Sequence, residues 1–172
     1  MIFRAVLSAI ALFIAVLIED AFVSALPEPL NLIAVVFTIG VLLFHFVKPH
    51  YGAAWLVAGG AALDLVALPG PSRTVAYALA ALLGLFLARK VFSNRSLYAL
   101  LGLGVSMFAG AIIVESIWYE VLRLIVSEPV AFSALLQAFW TRLLTFAITV
   151  FVAYFLSRRS VVFFQKLFFL RT

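Results

Sequence analysis

The sequence contains no cysteine and few charged residues. Of its 172 residues, 11% are Asp, Glu, Lys or Arg, whereas a soluble domain has about 25%. The absence of cysteine excludes disulfides, thiolate metal sites and thiol catalysis. The shortage of charge leaves too little polar surface to cover a water-exposed exterior. A soluble globular domain is therefore excluded.

Signatures of catalysis and of cofactor binding are missing too. The sequence has no HExxH zinc motif, no Walker loop, no nucleophile elbow and no glycine-rich dinucleotide fingerprint. His45 and His50 have no carboxylate at metal-ligand spacing. No tandem or inverted repeat is visible, which disfavours a transporter of the inverted-repeat class. We therefore predict a protein that is not an enzyme and has no catalytic residue, cofactor or metal.

Apolar segments dominate the chain. Hydrophobic residues make up 67% of it, the mean hydropathy is +1.26, and several runs approach the ~20 residues that cross a bilayer as a helix. The pattern predicts an all-α membrane protein with about six transmembrane helices, forming one domain over residues 1–156. Proline, glycine and charged residues separate the six predicted spans, which are Ala5–Leu26, Leu30–Val47, Gly52–Leu68, Arg73–Phe92, Ser96–Tyr119 and Val130–Leu156. Ser72 is a candidate N-cap of the fourth span, and Ser93 or Asn94 of the fifth.

Basic residues lie mainly on one side of this predicted topology. Nine fall on the side that holds both termini: Arg4, Lys48, Arg89, Lys90, Arg95, Arg158, Arg159, Lys166 and Arg171. The opposite side has only Arg73 and Arg123. Basic residues mark cytoplasmic loops, so both termini are predicted to be cytoplasmic. The same rule explains the net charge of +5 without nucleic acid as a partner.

The two ends of the chain carry their own signals. The N-terminal segment loosely resembles a signal peptide, but Glu19 and Asp20 interrupt its apolar region, which disfavours cleavage. At the other end, residues 157–172 alternate apolar, aromatic and basic side chains. We predict that this segment lies along the cytoplasmic interface and contacts membrane lipids. Docking on a partner is the alternative.

Ionisable residues at membrane depth are the first candidate site. Arg142 lies well inside the sixth span, where a charge is usually paired or faces a cavity. Its candidate partners are Glu115, Asp64, Glu19 and Asp20. One interpretation is a polar, outward-facing cleft that binds a ligand or a segment of a partner. The other is an internal ion pair that fixes helix register, with Glu19, Asp20 and Glu115 reaching headgroup water.

Small residues at four-residue spacing form a second set of candidates. Such faces let membrane helices approach closely. The fourth and fifth spans, which a short turn joins, are predicted to pack on each other in this way. The residues at this spacing are Ala76, Ala80, Gly84 and Ala88 on the fourth span and Gly102, Ser106 and Gly110 on the fifth. The third span has a similar surface, formed by Gly52, Ala58, Gly59, Gly60 and Ala62.

The middle of the chain resembles a known family. Gly59-Gly60-Ala61-Ala62-Leu63-Asp64-Leu65 precedes a Pro/Gly turn and an alanine- and leucine-rich helix, followed by Arg89-Lys90-Val91-Phe92-Ser93-Asn94-Arg95-Ser96-Leu97-Tyr98. This quarter of the chain resembles the bacterial rod-shape-determining protein MreD, and Gly60 and Asp64 match that family's Gly-x-x-x-Asp feature. Arg142 has no counterpart in the family.

The resemblance implies a non-enzymatic scaffold in the bacterial inner membrane. Such a scaffold would pair with MreC, a single-pass membrane protein, and through it with other proteins of the cell-wall elongation complex. An alternative is the substrate-binding subunit of an energy-coupling-factor vitamin transporter, which also has about six helices. In that case Ala5, Ala9, Ala11 and Ala15 would contact the coupling subunit, and Arg142 with the outward acids would line a vitamin pocket.

Overall fold

The computed structural model describes residues 2–66, 72–90, 96–126 and 132–158, and its regular structure in these ranges is entirely helical. These ranges contain six α-helices. In chain order they are α1 (Ile2–Leu17), α2 (Val35–Phe46), α3 (Pro49–Val66), α4 (Arg73–Lys90), α5 (Leu97–Val126) and α6 (Phe132–Arg158). The predicted all-α class is confirmed. Of the segment predicted to lie along the interface, residues 157–172, the part from residue 159 onward lies outside the described residues.

Helix α1 continues into a π-helical turn, Ile18–Val23. The amide of Ser24 donates to the carbonyl of Glu19 at 3.2 Å, which is the five-residue spacing of a π-helix. The helical segment therefore ends at Val23, three residues before the end of the predicted span at Leu26. Turns of this kind are frequent at functional sites, and this one contains Glu19 and Asp20.

The second predicted span, Leu30–Val47, is interrupted. A 3-10 turn covers Leu30–Leu32, Ile33 is extended with φ −70° and ψ 112°, and α2 has only 12 residues. At ~1.5 Å per residue, α2 is about 18 Å long, well short of the ~30 Å of a hydrocarbon core. A continuous helix over this span was therefore a wrong prediction.

Short as it is, α2 lies at the centre of the bundle. Phe37 is fully buried, and its ring makes edge contacts with Tyr77 of α4, Phe108 of α5 and Phe146 of α6 at centroid distances of 4.9, 5.1 and 5.5 Å. Phe108 and Phe146 stack on each other at 4.1 Å. One aromatic side chain thus joins α2 to three other helices.

The boundaries of α3, α4 and α5 follow local signals in the sequence. Helix α3 begins at Pro49, as a proline at the first helical position favours. The hydroxyl of Ser72 accepts from the amide of Val75 at 3.4 Å, so Ser72 caps α4 as predicted. Helix α5 is capped by Ser96, whose hydroxyl accepts from the amide of Ala99 at 3.1 Å; the predicted caps Ser93 and Asn94 lie outside the described residues.

The outside of the bundle is apolar. Large hydrophobic side chains stand exposed along α1, α4 and α6, among them Phe13 at 61%, Leu82 at 62% and Ile148 at 63%. Three helical segments, Val6–Val23, Leu97–Val121 and Leu136–Ser157, are long and apolar enough to cross a membrane. An exterior of this kind is unfavourable in water and is compatible with a membrane protein.

Candidate polar site where α2 and α4 begin

Asp64, in the last turn of α3, binds the start of α4 through four hydrogen bonds. Its carboxylate accepts from the amides of Arg73 and Thr74 at 2.7 and 2.9 Å and from the hydroxyls of Ser72 and Thr74 at 3.1 and 2.6 Å. The first amides of a helix have no partner within the helix, and a negative charge there is favourable. Asp64 is therefore used in joining α3 to α4.

Gly60 makes this contact possible. It lies one turn before Asp64 on the same face of α3, and a Cβ at this position would meet the carbonyl oxygen of Arg73 at 2.9 Å and the Cα of Thr74 at 3.0 Å. Only a residue without a side chain lets the backbone of α4 approach so closely. The Gly-x-x-x-Asp pattern thus forms one junction, in which Gly60 gives space and Asp64 gives hydrogen-bond acceptors.

Glu19 plays a similar part at the start of α2. Its Oε2 accepts from the amide of Val36 at 2.7 Å, and its Oε1 lies 3.9 Å from a terminal nitrogen of Arg73. The side chain of Glu19 is 11% exposed, and that of Arg73 is 34% exposed. One carboxylate in the π-helical turn therefore links α1 to the beginnings of both α2 and α4. Its neighbour Asp20 is partly buried.

Arg142 pairs with Glu115 at 3.1 Å. Of its candidate partners, the structure gives Glu115 and not Asp64, whose carboxylate binds α4 instead. Glu115 is buried, with 8% of its side chain exposed, whereas 35% of the Arg142 side chain is exposed. Glu115 therefore does not reach the headgroup region as an isolated acid. It anchors α5 to α6.

The two ion pairs belong to one polar region. Tyr77 of α4 is buried, with 4% of its surface exposed. The charges of both ion pairs, Glu19 with Arg73 and Glu115 with Arg142, act on its hydroxyl group. Two acids and two bases give the region no net charge, which reduces the cost of placing it in an apolar surrounding. In each pair the acid is less exposed than the arginine.

The carboxylates of this region are used in joining helices. Within the described ranges, no three His, Asp or Glu side chains are arranged to hold a metal ion. The carboxylates of Glu19 and Asp64 are engaged by backbone amides, and that of Glu115 by a guanidinium. About a third of the Arg73 and Arg142 side chains is left exposed and could meet another molecule.

The small residues lie at several different helix contacts. Gly84 of α4 packs against Met107 of α5, where a Cβ would lie 2.5 Å from the sulfur. Gly110 faces Leu83 at 3.2 Å, and Ala80 is buried in the core. The structure therefore brings α4 and α5 together through Gly84 and Gly110. Gly102 and Ser106 are partly buried on α5.

An open apolar groove of about 620 Å³ lies between α3 and α4. Its lining consists of alanine, valine and leucine side chains, among them Ala58, Ala61 and Leu82. Such a lining offers no side-chain hydrogen bond. A polar vitamin would need several such groups to fix its orientation, so this groove lacks the chemistry of a vitamin pocket.

Two features of the polar region were missed by sequence reasoning. The amide of Val36 has no partner within α2, because the chain is extended just before that helix. No residue type in the sequence indicates this break. The hydrogen bond from the hydroxyl of Thr74 could have been predicted from the sequence. Ser72 and Thr74 flank a helix start, and serine and threonine favour helix N-termini.

Comparison with known proteins identified no relative of this chain. No known protein family, no curated protein and no solved structure matches this chain.

Proposed function

We propose that this chain is a multi-pass protein of the bacterial inner membrane that acts as a non-enzymatic scaffold similar to MreD. It would help to organise cell-wall elongation, and thereby cell shape, through a single-pass partner similar to MreC. The observation that carries the proposal is the junction of Gly60 and Asp64 with the start of α4. These residues are the ones on which the resemblance depends, and they serve helix packing, which is what a scaffold requires.

The proposed topology has six crossings with both termini in the cytoplasm. Helices α1, α5 and α6 have the length and composition of transmembrane helices. Helix α2 is shorter but is enclosed by other helices, so its backbone does not need to match the lipid thickness. Helices α3 and α4, with 18 residues each, are about 27 Å long, close to the thickness of a hydrocarbon core.

Cysteine labelling tests this topology directly, because the natural chain has no cysteine. We expect Lys90→Cys to resist a membrane-impermeant maleimide in intact cells and to react after permeabilisation. Glu28→Cys, on the opposite side, is the matched control and should react without permeabilisation. Both residues are exposed in the structure. Labelling of Lys90→Cys in intact cells would show that the topology is inverted.

Copurification tests the function. We expect the chain, co-expressed with the MreC-like protein of the same genome and solubilised in mild detergent, to retain that protein through affinity purification. A single-pass protein of unrelated function is the control and should be lost during the purification.

We further expect depletion of the chain in a rod-shaped host to give rounded cells. Retention of a vitamin at one molecule per chain, without the MreC-like protein, would instead favour the transporter subunit.

A further inference from the structure

Helix α6 carries a stripe of polar side chains on a face that is otherwise apolar. Gln137, Thr141, Thr145 and Thr149 recur every four residues, and Arg142 lies beside them; these five residues are the polar stripe. Gln137 and Thr141 are exposed, and the other three are partly buried. Residues at this spacing follow one side of a helix, so the polar stripe is a continuous surface.

This surface lies at hydrocarbon depth. Arg142 is the seventh residue of the apolar segment Leu136–Ser157, which places it about 9 Å inside the end of that segment. Charged and polar groups exposed to lipid at such depth are costly and usually face protein. The exposed fraction of Arg142, 35% of its side chain, is thus unfavourable unless another molecule covers it.

The hydrogen-bonding state of the polar stripe defines the chemistry that could cover it. The hydroxyls of Thr141 and Thr149 donate to the carbonyls of Gln137 and Thr145 at 2.9 and 2.8 Å, so their protons are already used. The guanidinium of Arg142 has five N–H donors, and one terminal nitrogen faces Glu115 at 3.1 Å. The group that the surface requires is an acceptor. Because Glu115 already neutralises the guanidinium, a protonated carboxyl group supplies an acceptor oxygen without adding a charge.

The neighbouring side chains define the rest of the covering molecule. Trp140, Leu144 and Ile148 flank the polar stripe and are 54%, 60% and 63% exposed, so the covering molecule must be mainly apolar. Acyl chains offer no acceptor. A second copy related by two-fold symmetry would bring two arginines towards each other, which is unfavourable where the dielectric constant is low.

We propose that the polar stripe docks a membrane-spanning helix of another protein, and that this helix carries a carboxyl group level with Arg142. The helix would lie along α6, with its apolar side chains against Leu144 and Ile148. Hydrogen bonds between side chains stabilise such contacts within a membrane. This inference rests on the proposed scaffold function and deepens it, because it names the surface that receives a partner and the chemistry that the partner offers.

Synthetic helices test the proposal without any cell-wall protein. The full chain is reconstituted in phosphatidylcholine vesicles together with a transmembrane peptide of leucine and alanine. The peptide has one glutamate about 9 Å from its outer end and one cysteine next to the glutamate. Disulfide formation with Thr145→Cys is compared with Leu144→Cys, which lies at the same depth but outside the polar stripe. We expect about tenfold more cross-linking at position 145, since a membrane-buried polar pair gives roughly that preference.

Peptide variants provide the controls and leave the fold of the chain untouched. A peptide with leucine in place of glutamate should lose the preference for position 145, and one with lysine should cross-link least. Equal yields from the leucine and glutamate peptides would overturn the proposal, as would equal yields at positions 144 and 145. Cross-linking of Thr145→Cys chains to one another in preference to the peptide would identify a second copy as the occupant.

The outcome separates this inference from the scaffold function. If the peptides fail while the MreC-like protein copurifies, the partner binds elsewhere on the chain. If the glutamate peptide docks while no MreC-like protein copurifies, the docking surface stands and the proposed function fails.

Discussion

Replacing Arg142 with alanine is expected to lower the free energy of unfolding by about 3 kcal/mol, because it leaves a buried carboxylate without its cation. Glu115 is 6% exposed and lies within an apolar segment of α5, so water cannot take the place of the guanidinium. The value is at the lower end for a broken buried pair because a third of the Arg142 side chain is exposed. Steric-trap unfolding in bicelles measures it.

The double variant Glu115→Gln with Arg142→Gln separates the lost pair from the unpaired charge. Because it removes both charges together, we expect it to be more stable than Arg142→Ala. Arg73→Ala is the matched control, since Arg73 is as exposed as Arg142 but lies 3.9 Å from Glu19. We expect a loss below about 1 kcal/mol there, because the longer ion pair is weaker and the carboxylate of Glu19 keeps its hydrogen bond from the amide of Val36. If Arg142→Ala were as stable as the natural chain, the ion pair would not hold α5 to α6.

Helix boundaries were predictable wherever the signal was local. The third predicted span, Gly52–Leu68, overlaps α3 closely, and the fourth begins at Arg73 as α4 does. Proline removes an amide donor and restricts the residue before it, and Ser72 supplies a cap. Each of these effects acts within one turn of helix, so it leaves a trace in the sequence.

The interruption before α2 could not be predicted, because its cause is tertiary. The segment from Leu30 to Val47 is almost uniformly apolar, and hydropathy does not distinguish a helix that faces lipid from one that is buried among helices. The late start of α2 at Val35 is stabilised by Glu19, which accepts from the amide of Val36 at 2.7 Å. Glu19 is 17 residues away in sequence, so no local pattern connects the two.

The polar site was predictable in its members but not in its pairs. The sequence predicts that an arginine and several acids lie at membrane depth, because they fall within apolar runs. Ionisable residues are rare at such depth, so these residues stand out as candidates. Which acid meets Arg142 depends on how α3, α5 and α6 are rotated about their axes. For that reason the sequence left four candidate partners of Arg142, which were Glu115, Asp64, Glu19 and Asp20. The hydrogen bonds from Asp64 to the start of α4 remove Asp64 from the choice.

Gly52→Ala is expected to destabilise the chain by about 3 kcal/mol, the upper end for an added methyl group in a packed core. A Cβ at Gly52 would lie 2.2 Å from Cδ2 of Phe44, 2.7 Å from the amide nitrogen of Phe44 and 2.8 Å from the carbonyl oxygen of Gly40. Two of these atoms belong to the backbone of α2. No change of rotamer relieves the contact, so α2 and α3 must move apart.

Gly110→Ala is the matched control, because its Cβ would meet only Cδ2 of Leu83, at 3.2 Å. The leucine can shift by a few tenths of an ångström, and alanine is favoured over glycine in a helix by about 1 kcal/mol. We therefore expect Gly110→Ala to be neutral or slightly stabilising in the same bicelle assay. Equal losses in the two variants would mean that the cost comes from any added methyl group, and not from the backbone contact between α2 and α3. A loss confined to Gly52→Ala would identify that contact as the one that holds α2, and with it Phe37, at the centre of the bundle.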